Sequence, residues 1–242
     1  MSNPGQHRPL FALLVDADNI PARYADSILK EISSFGEPGL RRVYGDWSDP
    51  KLGKWAEKVV ALGLVAHQQS ANTKGKNASD IGLVIDAMDI LHAGHFEGFV
   101  LVSSDSDFTR LAGRIREQGL QVVGMGEIKT PESLRNACNR FIFVENISED
   151  DVELQGETDP TKREKKEPPS KAVPIVISAM NAMNQEDEWY ELGPLGQHLV
   201  SVNPDFDPRT YGSQKLSDLL RKTGQFEVSS EEGSAKARRT KS

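Results

Sequence analysis

The chain has 242 residues, 37% of them apolar and 27% charged, and its 29 basic and 36 acidic side chains leave a net charge of −7. That length holds one large domain or two small ones, and so acidic a chain does not attract nucleic acid in bulk, so a polyanionic partner needs a local basic surface or a bridging metal. A single cysteine excludes a disulfide framework and a thiolate zinc site. No apolar run reaches the ~20 residues of a membrane helix, and the polar stretch 1–10 lacks a signal peptide's apolar core, so a cytoplasmic protein without membrane contact is expected.

Taken in chain order, the first predicted element is the apolar run Phe11 to Val15, suited to a central parallel strand buried on both faces. Pro21 fits the first turn of a helix running to about Ser34. Leu40 to Tyr44 reads as a strand, Pro50 to Leu62 as a helix closed by Gly63, and Leu64 to His67 as a short strand before a polar loop to Ser79. From Asp80 to His92, Ile81, Val84, Ile85, Met88 and Leu91 recur at helical spacing. A strand at Phe99–Val102, a helix from Phe108 to Gln118 and a strand at Leu120–Gly124 follow. A short helix from Pro131 to Cys138, with the cysteine in a packing role, and a strand at Phe141–Val144 complete the set. Strands alternating with helices predict an α/β fold, a parallel sheet covered on both faces.

Residues 148–170 carry 4 basic and 8 acidic side chains and almost no large apolar residue, too little to offset the entropy of ordering. Beyond them, helices are expected at Ala172–Met183, Leu192–Ser201 and Ser213–Lys222, and a short strand at Phe226–Val228 that could form a wing. The expected division is a first domain over 9–147, an acidic linker over 148–169, a small second domain over 170–230 and a disordered tail over 231–242.

Two strand ends carry paired acids: Asp16-Ala17-Asp18-Asn19 and Ser103-Ser104-Asp105-Ser106-Asp107. In open α/β sheets the ligand crevice lies beyond the carboxyl ends of the strands, and Asp80, opening its helix, can point toward the same edge. Two carboxylates ~4 Å apart repel by about 4 kcal/mol at an effective dielectric near 20. Either some are protonated or a hard cation sits among them, and Mg²⁺ or Mn²⁺ suits an all-oxygen site. The competing reading is capping: Asp105 or Ser106 can cap the helix at Phe108, and Asp18 or Asn19 the one at Pro21. Asp86, further along the Asp80 helix, reads as solvated. His67, His92 and His95 show no ligand pattern. Most basic residues, Arg41 and Arg42 among them, read as solvated faces. Lys74 and Lys76 are the better candidates for meeting a polyanion's backbone, because a glycine-containing loop can approach a phosphate.

Val15-Asp16-Ala17-Asp18-Asn19, Lys76-Asn77-Ala78-Ser79-Asp80-Ile81 and Val102-Ser103-Ser104-Asp105-Ser106-Asp107-Phe108 resemble, in order and spacing, the motifs of the NYN domain of the PIN-like nuclease superfamily, in its LabA-like branch. The resemblance implies a Rossmann-like sandwich and metal-dependent RNA cleavage. Asp16, Asp80, Asp105 and Asp107 would then be the metal-binding, catalytic acids, with Asn19, Asp18 and Ser104 in support. The segments Trp189 to Gly196, Pro204 to Gly212 and Lys215 to Leu220 are similar to the LOTUS or OST-HTH domain, which implies a winged helix with RNA or protein partners. There Trp189, Phe206 and Tyr211 read mainly as core and corner residues. Two readings compete with a nuclease. A haloacid-dehalogenase-type hydrolase would carry a hydroxyl residue where Ile20 stands. A PIN-like module could hold RNA or protein without cutting. Whether two copies pair stays open.

Overall fold

The computed structural model describes residues 7–68, 78–148, 166–185, 187–231 and 234–240, with the side chains of 78–80, 231 and 234 left aside. Strand β1 (Leu10–Asp16) is buried along almost its whole length. Its alternate side chains feed two cores: Phe11, Leu13 and Val15 on one face, Ala12 and Leu14 on the other. This is why the run is apolar without alternation. Helix α1 (Ala25–Phe35) leads to β2 (Glu37–Gly45), and α2 (Gly53–Ala61) to β3 (Val65–Gln68). The chain then crosses by α3 (Ala78–Ala93) to β4 (Gly98–Val102), α4 (Thr109–Glu117), β5 (Gln121–Gly126), α5 (Glu132–Ala137), β6 (Arg140–Phe143) and the single turn α6 (Val144–Ile147).

The six strands are parallel in the order β3-β2-β1-β4-β5-β6. Side chains of α1, α2 and α6 cover one face and those of α3, α4 and α5 the other. The chain moves outward from β1 to β3 and then returns to the other side of β1. The order therefore reverses between β1 and β4, the position at which open sheets place their ligand crevice.

Strand β2 begins three residues earlier than the apolar run predicts. Its register against β1 shifts between Phe11 and Ala12, where Pro38 and Leu40 are the successive partners, so Gly39 is the extra residue of a bulge. Val144, expected as the end of the last strand, instead opens α6. Cys138 is buried and its thiol donates to the Leu134 carbonyl, in keeping with packing; burial pushes its pKa up to about 12.

The second unit is built separately from α7 (Ala172–Met183), β7 (Tyr190–Glu191), α8 (Leu192–Val202), α9 (Leu216–Thr223), β8 (Phe226–Glu231) and β9 (Ser234–Arg239). Its sheet is antiparallel in the order β7-β9-β8, and the β8–β9 hairpin is the wing. Val176, Leu195, Leu199, Leu219, Leu220 and Ala237 are central to its core. Phe206 and Tyr211 are buried as expected, whereas Trp189 is half-buried beneath the Arg238 guanidinium, 4.7 Å from its ring centre.

Two expected boundaries are corrected. The tail placed at 231–242 contains β9, which pairs with β7 on one side and β8 on the other. Its Lys-Ala-Arg-Arg composition hides this, because Ala237 is its one buried residue among the described side chains, and Arg238 is held at the surface by Trp189 and Glu227. Residues 166–169, expected at the end of the linker, already join the second unit: the Glu167 amide donates to the Thr210 carbonyl. The linker's 149–165 lies outside the described residues. Among the described residues, no helix is long and apolar enough to cross a membrane.

Candidate active site

The site is assembled where β1 and β4 end side by side. Asp16, the last residue of β1, continues the face of Ala12 and Leu14 and is only 2% exposed. Burying a carboxylate is costly unless it is hydrogen-bonded, and two donors meet Asp16 Oδ2: Asn19 Nδ2 at 2.7 Å and Ser103 Oγ at 2.8 Å. Asn19 comes from the turn after β1, and Ser103 is the first residue beyond β4. Ser103 is itself buried, and its hydroxyl also accepts the Asp105 amide at 3.1 Å. One hydroxyl therefore ties the first strand's acid to the backbone carrying the second acidic pair. Strand β5 runs close beside this turn, since a Cβ at Gly126 would lie 2.6 Å from the Ser103 carbonyl oxygen.

Asp105 is half-buried and its Oδ1 accepts the Asp107 amide at 2.9 Å, capping the 3₁₀ turn Ser106–Phe108 that leads into α4. The capping reading thus holds for Asp105. It does not hold for Asp18 or Asn19, because the turn Ala22–Tyr24 has Pro21 at its N-cap and no side-chain cap. Asp18 and Asp107 are exposed at the rim. Ser104 is turned to β5, its hydroxyl accepting the Glu127 amide at 2.9 Å. Asp80 is the third residue of α3, a helix that packs on β1, on β2 and against the Ser106–Phe108 turn. Its side chain, with Lys74 and Lys76, lies outside the described residues.

Three features escaped the sequence reading. Asp46, directly after β2, puts an acid beyond a third strand. Its carboxyl is held below the usual range mainly by the Ser48 hydroxyl, then by Gln68. A glycine-acid step after an apolar run was the available signal. Ser103 stood in the motif, but nothing local distinguishes it from Ser104. Asp86, expected to be solvated, is corrected: its Oδ2 accepts from Arg42 Nη1 and from the Tyr44 hydroxyl, both at 2.8 Å, and lies 3.3 Å from His67 Nδ1. The same contacts take Arg42 off the list of solvated residues. Tyr44 is raised well above its ordinary pKa, first by burial and then by its bond to Asp86, so it stays a proton donor.

The donors on this rim are carboxylate oxygens, which suit a hard divalent cation rather than zinc. Among the described residues, no group of three or more His, Cys, Asp or Glu side chains stands close enough to hold a metal ion.

The family profile of the NYN domain matches residues 11–147, and that of the OST-HTH/LOTUS domain matches residues 164–236. No curated protein matches the sequence. Among solved structures, the crystal structure of a protein of unknown function from Vibrio parahaemolyticus is similar at 21% identity, covering 59% of this chain and 96% of that one with a TM-score of 0.49.

Proposed function

The chain belongs to the NYN domain family, and from that premise we propose that it is a divalent-metal-dependent ribonuclease whose OST-HTH/LOTUS domain captures RNA. Asp16, Asp80, Asp105 and Asp107 are the acids that would hold Mg²⁺ or Mn²⁺. Such a cation lowers the pKa of a bound water and stabilises charge on a phosphoryl oxygen. Asn19 and Ser103 fix the rotamer of Asp16, so that its charge stands at the rim without reorganising when RNA arrives. Ser104 holds the Asp105 loop to β5. Asp18, exposed beside β2, shapes the rim, and Lys74 and Lys76 meet the RNA backbone. The observation that carries this reading is the Asp16–Ser103–Asp105 connection at the point where the strand order reverses.

Incubating the protein with structured and single-stranded RNAs in Mn²⁺ or Mg²⁺ tests it, with Asp105→Asn as the control. Cleavage that needs the cation and falls about a thousandfold in the variant is the expected result. RNA binding with no cleavage under any cation would replace the nuclease with a module that holds RNA without cutting.

A further inference from the structure

Helix α3 has apolar residues all round. Leu83, Ala87, Ile90 and Leu91 are buried against the sheet, yet Ile81 and Ile85 remain 62% and 56% exposed. Apolar burial is non-directional, so it discriminates poorly between this rotation of the helix and one turned by about 100°, a single residue's step. Asp86 removes that ambiguity. Its Oδ2 meets Arg42 and Tyr44, two residues apart on β2, and His67 on β3, the register partner of Tyr44. Two donors from β2 and a ring nitrogen from β3 converge on one oxygen of the helix. Turning or sliding α3 would leave the Arg42 guanidinium and the Asp86 carboxylate unmatched in a half-buried setting, a cost larger than the net gain of an ordinary hydrogen bond.

We propose that Asp86 is a positioning residue: it sets the rotation of α3 on β2 and β3, and so fixes where position 80 stands relative to Asp16 and Asp105. Asp80 precedes it by six residues, about 9 Å along the helix axis, on the same rigid rod. The consequence for cleavage rests on the reading of Asp80 as a metal-binding acid; the setting of the helix does not.

The test uses the full chain with Asp86→Ala, Asp86→Asn, Tyr44→Phe and, as a control on the same helix, the exposed Asp89→Asn. Three quantities are read: amide hydrogen exchange, Mn²⁺ affinity without RNA, and cleavage kinetics. In Asp86→Ala, exchange across 81–93 is expected to rise about tenfold while β1 and β4 keep their protection. Mn²⁺ affinity and kcat are each expected to fall about tenfold, with KM for RNA within about twofold. Asp86→Asn, which keeps one acceptor oxygen, and Tyr44→Phe, which keeps the ring in the core, are expected to lose less, and Asp89→Asn nothing. Should Asp86→Ala fail to fold, these two milder variants carry the same comparison. Unchanged exchange in α3 overturns the proposal, as does a loosened α3 with Mn²⁺ affinity and kcat both intact. A wild-type protein that neither binds Mn²⁺ nor cuts RNA is a failure of the nuclease reading instead, and exchange, which needs neither metal nor RNA, then decides the setting of the helix.

Discussion

Ser103 shows how much one hydroxyl can organise. It donates to a buried carboxylate and accepts the amide of a residue two positions on, so the ends of β1 and β4 cannot move independently. Replacing it by alanine removes a bond to a charged group that has little access to water. Ser103→Ala is expected to cost about 2 kcal/mol of stability, measured by urea denaturation; a loss within about 0.5 kcal/mol, typical of a surface change, would mean that water replaces the hydroxyl. Cys138 offers a separate test through pH. Its thiol is raised from 9.0 to about 12 by burial, so the unfolded chain ionises first. Its contribution is complete below pH 9.0 and is lost as pH rises toward about 12. The fall in stability between about pH 9 and 10 is therefore expected to be shallower in Cys138→Ala than in the native chain. Equal slopes in urea titrations across that range would assign the loss to other groups.

Among the elements, β9 departs furthest from its local sequence. Among the described side chains of Ser234–Arg239 only Ala237 is buried, and the residues around it are charged or small, yet this is the central strand of its sheet. A second domain ended at 230, where apolar content runs out, would leave β7 and β8 without their shared partner. Truncation after Glu231 is expected to abolish cooperative thermal unfolding of the isolated domain, whereas a fragment spanning 166–240 unfolds in one transition. Equal cooperativity in scanning calorimetry would show that the helices alone sustain the core. The opposite situation holds in β1, where the apolar run already specifies a strand buried on both faces and the structure adds only its neighbours.

For the whole molecule, the relevant fact is that there are two units, Met1–Leu154 and Gln155–Ser242, each with its own apolar core. The strand-end acids belong entirely to the first. Removing 155–242 is therefore expected to raise the RNA concentration for half-maximal cleavage about tenfold while changing single-turnover cleavage at saturation by no more than about twofold. Loss of cleavage even at saturating RNA would mean that the second unit helps to build the active site.

The alternation of strands and helices, the break between two units and the acids at strand ends are all legible in the sequence, because each rests on short-range periodicity or composition. Phe11–Val15 can be read as a buried strand, and Asp16 and Asp105 as rim residues, with no knowledge of the sheet. Strand order, the pairing of Asp16 with Ser103, the capture of Asp86 by Arg42 and Tyr44, and the existence of β9 could not be read that way. Each depends on partners 40 to 90 residues or a whole domain's fold away, whose proximity is decided by which layers bury the most apolar surface together. Local sequence determines what a segment can become and which chemistry it carries. Only the packed sheet decides which carboxylates meet, because apolar burial chooses which elements are neighbours and hydrogen bonds and charges then set how those elements are turned against each other.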